Sequence, residues 1–346
     1  MDFDWFPLTL GWELTLLCNL HCKHCGSSAG QPRVNELTTK EALELCDQFP
    51  ALLIQEVDFT GGEPLLRSDW LDIALHLKDL KIRTGIVTNG IQLDAVTVSK
   101  IKSSGVSHIA ISIDGLESTH NYIRGGEVFQ QTIDGMKRAI EADIPITVIT
   151  TVTQQNINEL PPLFELLSNI GIKRWRPQPL FLVGRSEFVP ELHLNEQTYL
   201  QLIHYVQTLG QKAENVGIDV LRADGVGYYY EPDSFRSPWY GCPAGLVSVG
   251  ITSDGKVKGC LSLPDTFIEG DLRKKTLWDI WFDPQSFKYT RQFSSECLGD
   301  NCRSCEKALQ CRGGCSVTSY GSTGKFNNDP FCFLGIKNRK NLLEKA

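Results

Sequence analysis

The chain has 346 residues, a formal net charge of −7 and twelve cysteines. That length suits one large α/β barrel with a smaller domain, or two ordinary domains. Because the balance is acidic and no basic stripe dominates, we exclude nucleic acid as a general partner. The acidic start of the chain and the lack of a long apolar run indicate neither a signal peptide nor a membrane span, so we expect a soluble cytoplasmic protein.

From residue 8 to about residue 180, strand-like and helix-like patterns alternate at the intervals typical of βα units. The predicted strands are Leu8–Leu17, Glu56–Phe59, Thr84–Thr88, His108–Ile113, Ile146–Val152 and Ile172–Gln178. The predicted helices between them are Thr38–Phe49, Asp69–Asp79, Asp94–Ser103, Phe129–Ala142 and Ile157–Ile170. Six such units predict the α/β class and a partial (β/α)6 TIM-like barrel.

The remainder of the chain changes character after one more amphipathic helix at residues 195–216. We interpret the Gly- and Tyr-rich stretch that follows as a linker. We therefore predict a barrel core at residues 1–190, a last helix and linker at 191–240, and a cysteine-rich domain with a C-terminal helix at 241–346. A segment so poor in apolar residues needs metal to hold its fold.

The cysteines are concentrated in residues 18–46 and 242–332, which indicates metal sites in a reducing compartment rather than a disulfide framework. Cys18, Cys22 and Cys25 follow the first predicted strand with C-x3-C-x2-C spacing. An iron–sulfur cube needs four ligands, so three thiolates leave one iron open to a ligand that is not protein. The alternative is a zinc site completed by His21 or His24.

The strand ends carry further motifs, Gly61-Gly62-Glu63-Pro64 after strand two and polar runs after strands three and four. Together with the cysteine spacing, they resemble the radical SAM superfamily over residues 8–190. The resemblance implies a [4Fe-4S] cluster on the three cysteines, with S-adenosylmethionine bound at its open iron and cleaved to a 5′-deoxyadenosyl radical. It implies cofactor-binding roles for Gly61, Gly62, Glu63, Pro64, Thr88, Asn89, Ser112, Asp114, Arg124 and Thr151.

Ser112 and Arg124 are the residues that we expect to make polar contacts with S-adenosylmethionine, with Arg124 meeting its carboxylate as a fork donor. The alternative for Arg124 is a surface ion pair.

The C-terminal cysteines are similar in order and spacing to the SPASM extension of radical SAM enzymes that modify peptides and proteins. The resemblance implies two auxiliary iron–sulfur clusters, the first on Cys242, Cys260 and Cys315. The second would use Cys302, Cys305, Cys311 and Cys332. A hairpin between Cys242 and Cys260, with strands Val247–Ile251 and Lys256–Lys258, fits this arrangement. Zinc in both sites remains the alternative.

The first auxiliary site has only three mapped ligands. Its fourth position is open, or filled by Cys297 or by a ligand other than cysteine. Cys297 has a second candidate role as a hydrogen-atom donor, if the enzyme is an epimerase. Cys46, on the inner side of a predicted helix, is expected to be an ordinary buried thiol.

The resemblance implies hydrogen abstraction from a substrate, and we favour a residue of a ribosomally made peptide or protein, matured by crosslinking or other oxidation. An external flavodoxin- or ferredoxin-like protein would supply electrons. With strand one so near Met1, we expect no leader-binding domain before it. A separate leader-binding protein, or the aromatic side chains Tyr228–Tyr230, Trp239 and Tyr240, would then recognise the peptide, although these aromatics suit an interdomain core equally well.

Two alternatives stay open. A small-molecule dehydrogenase or epimerase predicts a compact polar cavity, whereas a peptide enzyme predicts a groove that reaches the surface. A non-enzyme, such as an iron–sulfur electron carrier or a zinc-stabilised binding module, leaves the motif at residues 61–64 without a role.

Overall fold

The computed structural model describes residues 5–221, 223, 225, 226, 228 and 239–343. Its strands are β1 (Thr9–Thr15), β2 (Glu56–Gly61), β3 (Arg83–Thr88), β4 (His108–Ser112), β5 (Ile146–Val152), β6 (Arg174–Pro179), β7 (Asp219–Val220), β8 (Ser248–Ile251), β9 (Lys256–Lys258) and β10 (Gly270–Asp271). Its α-helices are α1 (Thr39–Cys46), α2 (Trp70–Asp79), α3 (Ala95–Ser104), α4 (Glu117–Arg124), α5 (Phe129–Glu141), α6 (Leu160–Ile170), α7 (Glu196–Val216), α8 (Leu277–Trp281), α9 (Lys288–Arg291), α10 (Ala308–Cys311), α11 (Ser316–Thr323) and α12 (Phe333–Leu343).

One sheet contains all ten described strands, in the order β10-β9-β8-β1-β2-β3-β4-β5-β6-β7. Strands β1 to β6 pair in parallel and in chain order, which confirms the predicted α/β class and the six consecutive βα units. Since β10 and β7 are the two edges, the described part of the sheet stays open, as a partial barrel requires. The carboxyl ends of these parallel strands therefore meet at one end of the molecule.

The sheet extends further than the sequence predicts. Strand β8 pairs in parallel with β1, from Thr9 opposite Ser248 to Trp12 opposite Ile251. Strands β8 and β9 form the predicted antiparallel hairpin, and β10 pairs with β9. Residues beyond the linker thus continue the barrel sheet through backbone hydrogen bonds, and the domain boundaries remain a prediction.

The predicted helices are present, with ends that differ by a few residues from the expected ones. Helix α1 begins with a capping box, in which Thr38 and Glu41 satisfy each other's backbone N–H groups. Helix α4 has no counterpart in the sequence prediction. It is short and polar on much of its surface, but His120 and Arg124 are buried on its inner side.

The core lies between the sheet and the helices that cover it. Trp12 packs edge-to-face on Phe49 and Phe59, and Cys46 is fully buried in the same cluster, as expected. Of the predicted linker aromatics, Tyr228 is buried against Trp239 and Tyr240 is exposed, while Tyr229 and Tyr230 lie outside the described residues. In the described part of the chain, no helix is both long and apolar enough to cross a bilayer.

Candidate active site

The loop that carries Cys18, Cys22 and Cys25 (the cysteine loop) leaves β1 at the carboxyl end of the sheet. A backbone hydrogen bond joins the two ends of this loop, because the Cys18 N–H donates to the Gly30 carbonyl over 3.2 Å. Arg185 clamps it from the other side by donating to the carbonyls of Cys22 (2.8 Å) and Ala29 (2.6 Å). All three cysteines line one cavity of about 510 Å³, which we call the central cavity.

Each sulfur of the cysteine loop accepts an N–H group. Leu20 N–H approaches Cys18 Sγ at 3.5 Å, Ala29 N–H approaches Cys25 Sγ at 3.4 Å, and an Arg124 guanidinium N–H approaches Cys22 Sγ at 3.8 Å. Such donors suit thiolates bound to a metal group. Burial raises the pKa of Cys18 to about 11 and raises that of Cys22, so a cation must displace their protons. The donor set and its surroundings fit an iron–sulfur cluster.

The zinc alternative requires a histidine as fourth ligand. His24 lines the central cavity, and its Nε2 is paired with Asp114 Oδ2 at 2.8 Å, which leaves only its Nδ1 as a candidate ligand. His21 is exposed and is not among the described lining residues. The described residues therefore give the cysteine loop three thiols, and the buried Nδ1 of His24, which has no hydrogen-bond partner among them, is the one nitrogen that zinc could use.

The motif at residues 61–64 abuts the end of β1. Gly61 has φ +125°, and a Cβ at Gly61 or Gly62 would collide with the carbonyl oxygens of Thr15 or Leu17, so both positions require glycine. Both glycines line the central cavity. At these two glycines the cavity wall is therefore formed by backbone atoms without side chains.

Glu63 and Pro64 lie behind that wall and are missing from the described lining. The buried Glu63 carboxylate accepts from the Thr88 hydroxyl and the Asn89 N–H, each over 2.8 Å. Burial raises the pKa of Glu63 to about 7, although these hydrogen bonds act to lower it. Glu63 therefore positions Thr88 and Asn89, which do line the cavity.

Of the other predicted cofactor-binding residues, Ser112, Arg124 and Thr151 line the central cavity, whereas Asp114 lies behind it. Asp114 is fully buried, with Oδ2 2.6 Å from Arg124 Nε, and its Oδ1 accepts the Thr151 N–H over 2.9 Å. Burial alone would raise the pKa of Asp114, but the charges of Arg124 and His24 hold it below its ordinary value. Arg124 is thus in a buried ion pair rather than a surface one.

Several lining residues were not predicted as ligand-binding residues, above all Arg176 on β6. The described lining of the central cavity contains three arginines, Arg124, Arg176 and Arg185, and no Asp or Glu. Among the residues that the structure describes, the buried Nε of Arg176 has no hydrogen-bond partner. Strand periodicity could have indicated it, because Arg176 and Gln178 share a face of β6 and both line the cavity.

The structure brings together the four cysteines that the resemblance assigns to the second auxiliary cluster. Cys302, Cys305, Cys311 and Cys332 (the four-cysteine site) line a separate cavity of about 20 Å³. The Lys307 N–H donates to Cys305 Sγ over 3.4 Å. Burial raises the pKa of Cys302 to about 12 and of Cys332 to about 11. Four thiols around one small space fit a cluster whose ligands are all protein.

The cysteines assigned to the first auxiliary cluster are Cys242, Cys260 and Cys315 (the three-cysteine site). Cys260 and Cys315 line the central cavity, together with the cysteine loop. Burial, and then the nearby Cys242, raise the pKa of Cys260 to about 11. Cys297 is exposed, with Sγ 3.6 Å from Ser294 Oγ, and is among the described lining of neither cavity. The structure therefore does not bring Cys297 to either site.

Comparison with known proteins gives two family matches, the radical SAM superfamily at residues 12–167 and the SPASM iron–sulfur cluster-binding domain at residues 242–306. The AdoMet-dependent heme synthase of Methanosarcina barkeri is 30% identical over 94% of this chain and 96% of its own. The mycofactocin maturase MftC of Mycolicibacterium smegmatis is 28% identical over 95% of this chain and 83% of its own.

Solved structures share the fold at lower identity. Streptococcus suis SuiB bound to S-adenosylmethionine is 21% identical and superposes with a TM-score of 0.76, covering 95% of this chain and 76% of that one. The anSMEcpe structure with bound AdoMet is 16% identical, with a TM-score of 0.75 over 96% of this chain and 95% of that one.

Proposed function

This chain belongs to the radical SAM superfamily, and we propose that Cys18, Cys22 and Cys25 hold the [4Fe-4S] cluster at which it binds and reductively cleaves S-adenosylmethionine. One observation carries the proposal: the three thiols of the cysteine loop face a cavity lined by the ends of β2 to β6. When bound, the reduced cluster and S-adenosylmethionine supply hydrogen-atom abstraction from a substrate.

The chain's own residues provide the binding surface. Gly61 and Gly62 let the methionine end of the cofactor approach the backbone, and Ser112 and Thr151 offer hydroxyl groups. Glu63 and Asp114 are positioning residues, since they orient Asn89 and Arg124 from behind the wall. Arg124 also brings positive charge to Cys22 Sγ, which favours the thiolate.

Formation of 5′-deoxyadenosine tests this function. The anaerobically reconstituted and reduced chain should form it from S-adenosylmethionine, and a variant with Cys18, Cys22 and Cys25 all changed to Ala should not. Cys297→Ala is the matched control, because that thiol is exposed and lines neither cavity, and it should behave as the parent. A parent chain with iron in the cysteine loop that forms no product would refute the proposal.

For the substrate, we propose a residue of a ribosomally made peptide or protein, oxidised in the central cavity. The mycofactocin maturase relative supports this choice, as do fold neighbours solved with bound peptide, SuiB with its precursor peptide SuiA and anSMEcpe with the Cp18Cys peptide. A separate leader-binding protein and a flavodoxin- or ferredoxin-like electron donor belong to the same proposal. Stimulation of 5′-deoxyadenosine formation by a candidate peptide is the test.

A small-molecule acid is the second candidate substrate. The heme synthase relative supports it, and so does a cavity lined by three arginines, with no carboxylate among its described lining residues. Arg176 has an Nε atom without a hydrogen-bond partner among the described residues, and its guanidinium group matches a carboxylate in shape and charge. Coproporphyrin III, a tetracarboxylate, is a suitable probe: if this candidate holds, Arg176→Gln should weaken its binding, while Arg174→Gln, outside the cavity lining, should not. Equal binding of the probe to the parent and to both variants would contradict a role for Arg176 in binding the acid.

A further inference from the structure

Tyr289 in α9 places a hydroxyl group in the interior of the protein without a hydrogen-bond partner among the described residues. Its ring is fixed by Phe326, stacked at 4.7 Å between centroids and an interplanar angle of 16°, and by Phe267 at 6.1 Å. A buried hydroxyl without a partner is unfavourable, because it loses water and gains nothing in exchange. The rigid ring leaves the hydroxyl little freedom to find a partner elsewhere.

The hydroxyl group lies beside the three-cysteine site. A Cβ at Gly259, the residue before Cys260, would collide with Tyr289 Oη, so the missing side chain makes the space that this oxygen occupies. Tyr289, Cys260 and Cys315 belong to one packed cluster of side chains. A tyrosine hydroxyl carries its proton near neutral pH, so it is a hydrogen-bond donor.

The three-cysteine site can offer hydrogen-bond acceptors for this hydroxyl group. A cluster there would have three cysteine ligands among the candidates, since Cys297 is exposed and is in the described lining of neither cavity. The sulfur atoms of an iron–sulfur cluster and of its thiolates accept hydrogen bonds, and a neutral phenol is a suitable donor. We propose that the Tyr289 hydroxyl donates a hydrogen bond to the iron–sulfur cluster held by Cys242, Cys260 and Cys315, an inference that rests on the proposed iron–sulfur role of these cysteines.

This hydrogen bond has a defined consequence. Reduction adds negative charge to a cluster, and a donor to its sulfur atoms stabilises that charge, which raises the reduction potential. Tyr289→Phe keeps the ring and its stacking on Phe326 and removes only the donor. The reduction potential of this one cluster should therefore become more negative.

The experiment uses the full chain with Cys18, Cys22 and Cys25 changed to Ala, so that only the C-terminal clusters contribute signal. After anaerobic reconstitution, a redox titration followed by electron paramagnetic resonance gives the midpoint potential of each cluster. Adding Tyr289→Phe should shift one potential to more negative values and leave the other unchanged. Tyr320→Phe is the matched control, since Tyr320 packs on the same Phe267 and Phe326 and should shift neither.

Three results would overturn the inference. Unchanged potentials in Tyr289→Phe would show that the hydroxyl does not touch the cluster. A phenolate-to-iron absorption band that disappears in Tyr289→Phe would show ligation instead of hydrogen bonding. A single cluster in the background protein would show that the three-cysteine site holds none. Because this background cannot cleave S-adenosylmethionine, failure of the proposed activity and failure of this inference are separate outcomes.

Discussion

The cysteine loop and the four-cysteine site differ in the number of thiols and in what lies beside them. The loop offers three thiols to a cavity of about 510 Å³ lined by strand ends and arginines. The four-cysteine site encloses about 20 Å³ between turns, glycines and the buried Asp329. An iron–sulfur cube in the first keeps a position for another ligand, whereas in the second its ligands are complete. The difference separates a site that can react from one that can only hold structure or relay electrons.

The largest effect that we expect concerns ligand removal in these two sites. Cys25→Ala should reduce 5′-deoxyadenosine formation to the background of iron-free protein, because the cluster that meets S-adenosylmethionine is lost. Cys302→Ala should lose iron but keep measurable formation, because its site does not open into the central cavity. Product analysis of both variants against the parent checks this. Loss of all product in Cys302→Ala, in a chain that remains folded, would break the distinction.

Removal of iron should affect the two regions unequally. Residues 299–335 have only short helices and many turns, so we expect their fold to depend on a bound metal. Strands β1 to β6 bury an extensive core and should keep their protection. Hydrogen exchange, followed by mass spectrometry before and after chelation of iron, should show increased exchange in residues 299–335 and little change in the strands. Equal loss of protection in both regions would contradict this view.

The buried ion pair behind the cysteine loop should have a smaller but clear effect on stability. Asp114→Asn leaves Arg124 buried without its counter-charge, which costs about 3–5 kcal/mol in the free energy of unfolding. Asp94→Asn is the matched control, because Asn and Asp cap a helix N-terminus equally well. Denaturant unfolding measures both variants.

The same pair has a pH dependence of known sign. The pKa of Asp114 is lower in the folded chain than its ordinary value of 3.8. Its contribution to stability is therefore present above about pH 4 and is lost as the pH falls further. Asp114→Asn should lack this part of the acid destabilisation. An acid unfolding profile parallel to that of the parent would contradict the assignment.

The smallest effect concerns a surface link between the barrel and the C-terminal segment. Arg273 donates to both carboxylate oxygens of Glu41 at 2.8 and 3.1 Å. Because the pair is solvent-exposed, Arg273→Ala should cost less than about 1 kcal/mol. Lys40→Ala, which removes the more exposed ion pair with Glu44, is the control and should cost less still.

The hydrogen bonds from Arg273 and then Thr38 lower the pKa of Glu41 to about 2. The link should therefore stabilise the fold above about pH 4.5 and weaken as the pH falls towards 2. Thermal unfolding of the parent and of Arg273→Ala at several pH values measures this, and the difference should shrink in acid. A constant difference would assign the effect to packing instead.

The sequence predicted the parts of this molecule that depend on local pattern. The periodicity of β1 to β6 and the capping box at Thr38 are local signals, and the structure confirms the elements that they predict. Helix α4 was not predicted, because its buried His120 and Arg124 are polar and its inner side therefore lacks an apolar stripe. The pairing of β8 with β1 is non-local, and no pattern within β8 indicates its partner.

The candidate site shows the same limit. The motifs indicated Gly61, Ser112 and Thr151, but they could not separate lining residues from those behind the wall. Glu63 and Asp114 are buried carboxylates that hold other residues, which only the fold reveals. Tyr289 and Arg176 carry no motif, and each becomes notable through a buried polar atom that has no partner in the described part of the chain.

The central claim is that the open position in the cysteine loop belongs to S-adenosylmethionine. Electron paramagnetic resonance of two reconstituted and reduced variants tests it most directly, one with iron only in the cysteine loop and one with iron only in the four-cysteine site. Addition of S-adenosylmethionine should change the spectrum of the first and leave that of the second unchanged. A cysteine-loop spectrum that does not respond to S-adenosylmethionine would contradict the account.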